Sequence, residues 1–309
     1  MLVMLASRMI FDSGFPGFDR KKTEHSTKKI DLERNRLRSK MPRYAHIVVG
    51  PAGSGKSTYV SAMLAHAEAC QRSMFAVNLD PAAEIFNYNP IADIRELIQI
   101  EDVMEDKSLN YGPNGALVFA IEYLMKNLDW LAEKLGTTED DYILFDTPGQ
   151  IELISHLSVI KDLTKYLENL NFHICIVFLL DSQFISDISK YFSSLVVSLI
   201  TLINLELPMI NLLTKVDKMT PDQRKLLEDL LEPNSNLLNE NSPCFTRTKN
   251  DKFYRLSKAF AQIIDDYSLQ KFLPFSVLEE DLMNDVLLVA DNCIQYGEDA
   301  EVFAKDIEF

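Results

Sequence analysis

The chain has 309 residues, 47% of them hydrophobic, enough for one large domain or two small ones with full cores. Its formal net charge of -15 and pI near 4.8 exclude a general nucleic-acid binder, because grip on a phosphate backbone relies on Lys and Arg releasing counterions. Any phosphate must be held locally.

Residues 1–40 are unlike the rest of the chain. They hold ten Lys and Arg against five Asp and Glu, leaving 21 against 41 in positions 41–309. "MLVMLASRMIF" is too short to span a membrane and lacks the basic lead of a signal peptide. "DRKKTEHSTKKIDLERNRLRSK" is charged, poor in apolar residues and richer in acids than a transit peptide, so 1–40 reads as a disordered basic extension. "MPRYAHIVVG" from Met41 would itself make a sensible domain start, which leaves an upstream start codon open. Cys70, Cys175, Cys244 and Cys293 form no Cys-x-x-Cys pair and suit buried free thiols in a reducing compartment.

Short apolar runs at 44–49, 74–79, 142–146, 173–180, 208–213 and 271–275 predict strands buried on both faces, with helical periodicity between them. The expected fold is α/β: a doubly wound, mainly parallel sheet flanked by helices. Right-handed crossovers put the loops after the strands on one edge, where such folds bind ligands.

At the first strand end "GPAGSGKST", 50–58, fits the Walker A pattern between a strand and a helix expected over Ser57 to Cys70. Backbone N–H groups around Gly53, Ser54, Gly55 and Thr58 and the helix N-terminus suit anionic oxygens; Lys56 neutralises the outer phosphates and Ser57 ligates Mg²⁺. A bare glycine turn before a helix is the structural alternative. "NLDPAAE", 78–84, ends the second strand and puts Asp80 on the active edge. "YGPNGALVFAIEYL", 111–124, opens a helix with Gly112-Pro113-Asn114; on physics alone Pro113 is a good first-turn residue and Asn114 an exposed polar neighbour.

"ILFDTPGQIE", 143–152, carries Asp146 at a strand end, placed to hold Mg²⁺ through water. Gly149 can offer its N–H to a γ-phosphate, and Gln150 stands where a water-orienting Gln would. "FSSLVVSLITLINLEL", 192–207, is apolar nearly all round and calls for burial on more than one side, as a core helix or as an interface helix. In "INLLTKVDK", Thr214-Lys215-x-Asp217 ends a strand; the Asp217 carboxylate can accept both N1–H and N2–H₂ of guanine while the Lys215 stem packs on the ring, so the triphosphate is GTP. The polar, turn-rich segment 232–250 reads as a mobile insertion. Ser276 opens a loop after the last strand, where a backbone contact to the base O6 competes with an ordinary turn. Residues 298–309 form a short acidic tail.

Together with "MPRYA", "ADIREL", "DDYILFD", "VFLLDSQF" and "IQYGED", these motifs make the chain from about Met41 to Gly297 resemble the GPN-loop GTPases, within them the third paralogue. The resemblance implies a P-loop NTPase domain over 41–297, with a helical insertion at about 100–135 carrying the GPN loop. It implies homo- or heterodimers with nucleotide near the interface, Asn114 reaching in trans toward the partner's phosphates. Asp80, Gln150 and Glu152 match positions that arrange magnesium and the attacking water, with Asp80 a further metal-ligand candidate. It also implies a cytoplasmic protein, shuttling to the nucleus, that assists assembly and nuclear import of RNA polymerase II; no direct nucleic acid or membrane contact is expected. The extension 1–40 departs from the family pattern, and the tail is shorter than its long acidic end. A P-loop small-molecule kinase and a nucleotide-binding interaction module without turnover are the alternatives; the first leaves "TKVD" unexplained, the second Lys56, Ser57, Asp146 and Gln150.

Overall fold

The computed structural model describes residues 42–84, 86–106, 109, 111–136, 141–150, 158–186, 188–231 and 272–297. The expected extension 1–40, Glu152, the segment 232–250 and the tail 298–309 lie outside them.

All six predicted strands form: β1 (Arg43–Val49), β2 (Met74–Asn78), β4 (Tyr142–Asp146), β5 (Phe172–Asp181), β6 (Met209–Thr214) and β7 (Phe272–Pro274). A seventh, β3 (Ala92–Asp93), was not expected; two residues are too few to show alternation. The strands pair in parallel in the order β3-β2-β4-β1-β5-β6-β7. β1 thus lies between β4 and β5, so the loops leaving β1 and β4 adjoin, with the end of β6 on the other side.

The helices are α1 (Lys56–Ala69), α2 (Ile100–Glu105), α3 (Pro113–Lys126), α4 (Leu128–Leu135), α5 (Val159–Asn169), α6 (Ile188–Leu205), α7 (Pro221–Leu231) and α8 (Glu280–Ile294). Alternation along the strands sorts them onto two faces. Ala45, Ile47 and Val49 of β1 join one core with Ile121 and Leu124 of α3, Leu131 of α4, Leu163 and Leu167 of α5 and Leu195 of α6. Tyr44 and Val48 point the other way and join Tyr59, Val60 and Met63 of α1 and Val286, Leu287 and Ala290 of α8. Each fully buried aliphatic side chain contributes about 1.5–3 kcal/mol, so both windings of the sheet are secured by the strand period alone. Within the region expected as the insertion, Ile100 and Val103 of α2 and Ala116 of α3 make a small core of their own.

α6 is buried on one side, through Tyr191, Leu195, Leu199 and Leu205, as a core helix is, while Ile200 and Ile203 are exposed by 39% and 55% in the single chain, as the face of an interface helix would be. One expectation is corrected. Of the three described cysteines, all free, only Cys175 is buried; Cys70 is exposed and Cys293 intermediate, because one caps the C-terminus of α1 and the other lies in the last turn of α8. Cys244 lies outside the described residues. Among the described residues no helix is long and apolar enough to cross a membrane.

Candidate functional site

The loop 50–55 turns directly from β1 into α1. Gly50 sits at φ 152°, and a Cβ there would run into the Leu179 carbonyl of β5, so only glycine lets the loop lie this close to the sheet. The N-cap of α1 is Gly55, which has no side chain to cap the helix, and the first-turn N–H groups are left for an anion. Lys56 is 7% exposed and its ammonium donates to the carbonyls of Gly50 (3.2 Å) and Pro51 (3.3 Å). Burial lowers its pKa, against the attraction of Asp146 and Asp80. Ser57 is half-buried in the first helical turn, and Gly53 and Thr58 are exposed. Ser54 is buried; its carbonyl accepts from the Thr214 hydroxyl at 2.7 Å, tying the loop to the end of β6.

Asp146 closes β4 and is 1% exposed. Its backbone is pinned from both neighbours, in register with Val48 of β1 and Asn78 of β2. Burial raises its carboxyl pKa, countered by the Ser57 hydroxyl, the Tyr88 phenol and the Lys56 ammonium. Tyr88, which sequence reasoning missed, donates to Oδ2 at 2.9 Å. Burial, and then the Asp146 charge, push its phenol pKa up, so it remains a donor. Oδ1 is buried without a hydrogen-bond partner. Among the described residues three buried side-chain nitrogen or oxygen atoms are in that condition, and two of them, Asp146 Oδ1 and Ser54 Oγ, lie at this loop. Buried polar atoms of this kind are rare in folded proteins, and an ion or ligand is one way in which they are satisfied.

Gly149 packs on the Walker loop so closely that a Cβ would stand 2.8 Å from Ala52 Cα and 2.9 Å from Lys56 Nζ. Asp80 stands two residues past β2; its N–H donates to Asn78 Oδ1 (3.0 Å), and its carboxylate caps Ala82 N–H (2.9 Å). Burial raises its pKa, opposed by Ala82 N–H, Lys56 and Arg95. Gly112, Pro113 and Asn114 are the N-cap and first two residues of α3. Gln150 Nε2 donates to Asn114 Oδ1 of the same chain at 3.2 Å, a contact the sequence did not suggest.

At the other end of the loop, Thr214 closes β6 and Lys215 adopts φ 60°, sending its ammonium to Gly53 O (2.7 Å) and Asp181 Oδ2 (2.6 Å). Asp217 follows in a 3-10 turn and accepts from the Ser276 hydroxyl at 3.4 Å, while Ser276 Oγ accepts from Leu278 N–H (3.1 Å). Loops from β1, β6 and β7 thus gather Gly53, Lys215, Asp217 and Ser276 on one edge. Asp181, also missed from sequence, braces Lys215; an acid closing a strand carries no distinguishing signal alone.

The donors at the Walker end are hard oxygens: the Ser57 hydroxyl, Asp80 and the unpartnered Asp146 Oδ1. That set fits Mg²⁺, which takes one or two carboxylates and completes its shell with water and substrate phosphates. Among the described residues no group of three or more His, Cys, Asp or Glu is arranged to hold a metal.

A family model described as "Conserved hypothetical ATP binding protein" matches residues 48–296. GPN-loop GTPase 3 of Danio rerio is 52% identical over 262 residues, 85% of this chain and 91% of that protein. Its namesake in Saccharomyces cerevisiae is 41% identical over 263 residues, 84% and 96% of the two chains. The crystal structure of a GTPase in apo form from Pyrococcus abyssi superposes with a TM-score of 0.66 at 23% identity, covering 81% of this chain and 97% of that one, a likeness of fold. The chain belongs to the GPN-loop GTPase family.

Proposed function

We propose that this GTP-binding hydrolase is a Mg²⁺-dependent switch, turning over GTP slowly and changing the conformation of a dimer as it does so. The observation that carries the reading is the uncapped Walker helix facing a buried carboxylate oxygen with no protein partner, both beside a buried lysine. N–H groups of the loop and Lys56 hold the triphosphate and stabilise charge on the transferring phosphoryl group. Ser57, Asp146 through water, and Asp80 would hold Mg²⁺, which when bound neutralises β- and γ-phosphate charge. Gly149 donates to the γ-phosphate, and Gln150, aided by Asp80 or Glu152, aligns water for in-line attack.

Asp217 reads guanine, with Ser276 fixing its carboxylate and Thr214 and Lys215 bracing its loop. Asn114 acts on a partner's phosphates. Its present bond to Gln150 is exposed and between neutral groups, worth about 0.5–1.5 kcal/mol, and is readily exchanged. In our reading 41–297 is the GTPase domain, 1–40 a basic extension and 298–309 a tail. The partner is a paralogous GPN-loop GTPase or a second copy, and the switch assists assembly and nuclear import of RNA polymerase II from the cytoplasm. The family resemblance supports these last assignments.

The test is a nucleotide panel. Single-turnover assays with and without the paralogue should release phosphate from GTP and not from ATP, although the matching family model is described by ATP. Asp217→Asn should lose about 100-fold or more in preference for GTP over xanthosine triphosphate. Unchanged selectivity refutes the base-reading role, and ATP turnover that depends on an acceptor molecule would make the chain a kinase.

A further inference from the structure

Tyr88 lies on the segment that leaves β2 through Asp80 and returns at β3, and the structure fixes its ring from several sides. Its ring stacks on Phe86 at 4.5 Å and 18°. The Arg95 guanidinium covers Phe86 at 4.7 Å and is itself held by Asp93 and by the Ala83 carbonyl (2.8 Å). Ser61 of α1 donates to the Asn87 carbonyl (3.1 Å), and Ile91 N–H to Ala76 O (2.8 Å), closing the segment onto helix and sheet. From that clamp the phenol, in a residue 8% exposed, reaches one oxygen of Asp146 and leaves the other bare.

A carboxylate at a strand end can rotate about its last bond. With Oδ2 engaged by a rigid donor, rotation costs a charge-assisted hydrogen bond in a buried place, and Oδ1 is left over for another partner. Groups that hold a metal-facing carboxylate in this way often matter nearly as much as the carboxylate. We propose that Tyr88 is a positioning residue for Mg²⁺: its hydroxyl sets the direction of Asp146 and makes the metal's hold depend on the conformation of residues 86–91. The proposal rests on the reading that Asp146 faces Mg²⁺.

The experiment uses the full-length protein loaded with a fluorescent GDP analogue, and measures release into excess GDP across a Mg²⁺ titration and in EDTA. In Tyr88→Phe, which keeps the ring and removes only the hydroxyl, the Mg²⁺ concentration giving half-maximal slowing of release should rise about tenfold, while release in EDTA stays within about twofold of wild type. A purely structural role would speed release equally with and without Mg²⁺, and that result, or an unmoved Mg²⁺ midpoint, overturns the proposal. Phe86→Leu keeps the hydroxyl but loosens its clamp and should move the midpoint about threefold in the same direction; should Tyr88→Phe fail to fold, an unmoved midpoint in Phe86→Leu overturns the proposal by itself. Asp146→Asn separates the two layers. If it too leaves the midpoint unchanged, the metal reading of Asp146 has failed; if it moves the midpoint while Tyr88→Phe does not, only the inference about Tyr88 has.

Discussion

Among the polar side chains of the described residues, two clusters make a contrast, one running outward from the buried His46 and one at the C-terminal edge of the sheet around Lys56. In the interior cluster every bond is returned. Tyr59 hydroxyl meets His46 Nδ1 at 3.3 Å, Tyr142 hydroxyl meets His46 Nε2 at 2.6 Å and donates to Asp291 (3.2 Å), and Asp291 takes both arms of Arg72 (2.7 and 3.1 Å). Arg72 finishes over the Tyr296 ring at 4.3 Å. Burial keeps the His46 imidazole neutral, so one ring nitrogen donates and the other accepts, and both meet a tyrosine hydroxyl. At the edge cluster a tyrosine again donates to an aspartate, yet Asp146 Oδ1 and Ser54 Oγ are left without partners and the helix N-terminus is uncapped. A closed network stiffens a fold; an open one is a candidate site.

The most direct challenge to that contrast is to remove the edge cluster's cation. Lys56→Ala takes away a buried ammonium that attracts Asp80 and Asp146 and should lower GTP turnover about 100- to 1,000-fold, with nucleotide binding weakened or lost. Phosphate release and fluorescent-nucleotide titration check it, and normal activity in a purified, folded variant would sink the site assignment. Gly149→Ala should come next. The added methyl meets Ala52 and Lys56 below van der Waals distance, so loop or lysine must shift at a cost of about 1–3 kcal/mol. The loop relaxes to take the methyl in the free protein and must be forced back to grip the phosphates, so the cost falls on affinity: roughly five- to 150-fold weaker GTP binding with the melting temperature little changed. A large loss of stability with unaltered affinity would show instead that Gly149 serves the fold.

The two clusters were not equally legible in the sequence. Lys56, Asp146 and Asp217 sit at fixed offsets from strand ends, and strand ends are written in the period of apolar residues, so both fold and site edge came out of the pattern. Tyr88 and Asp181 act through contacts made in space: one reaches across 58 positions to Asp146, the other across 34 to Lys215, and no local spacing encodes either. β3 escaped for a related reason, being a strand only by virtue of pairing with Val77 and Asn78. His46 was hidden within a run of strand residues where a histidine looks like any interior polar residue, and the exposed Ile200 and Ile203 on α6 could not be told from its buried face without knowing which side met the sheet.

The smallest effect tests the closed cluster through pH. Complete burial, aided by the Arg72 charge, pushes the His46 pKa down to about 3, whereas in the unfolded chain it titrates near the usual value of about 6.5. The folded-state value is the depressed one, so the unfolded chain takes up the proton first. The stability contributed by keeping His46 neutral is fully present above about pH 6.5 and is lost progressively as pH falls toward 3. Between pH 7 and 6 the loss should be about 0.7 kcal/mol, steepening to about 1.4 kcal/mol per unit below that. Asp80 and Asp146, whose pKa values are raised, pull the other way as acid protonates them, so the total slope mixes opposing groups. Taking the difference between wild type and His46→Gln in urea unfolding at each pH removes their part. Wild type should lose its advantage over the variant as pH drops from 7 to 6 and below; parallel curves would mean that His46 is already able to take up a proton in the folded protein, and that the interior network is less closed than its hydrogen bonds imply.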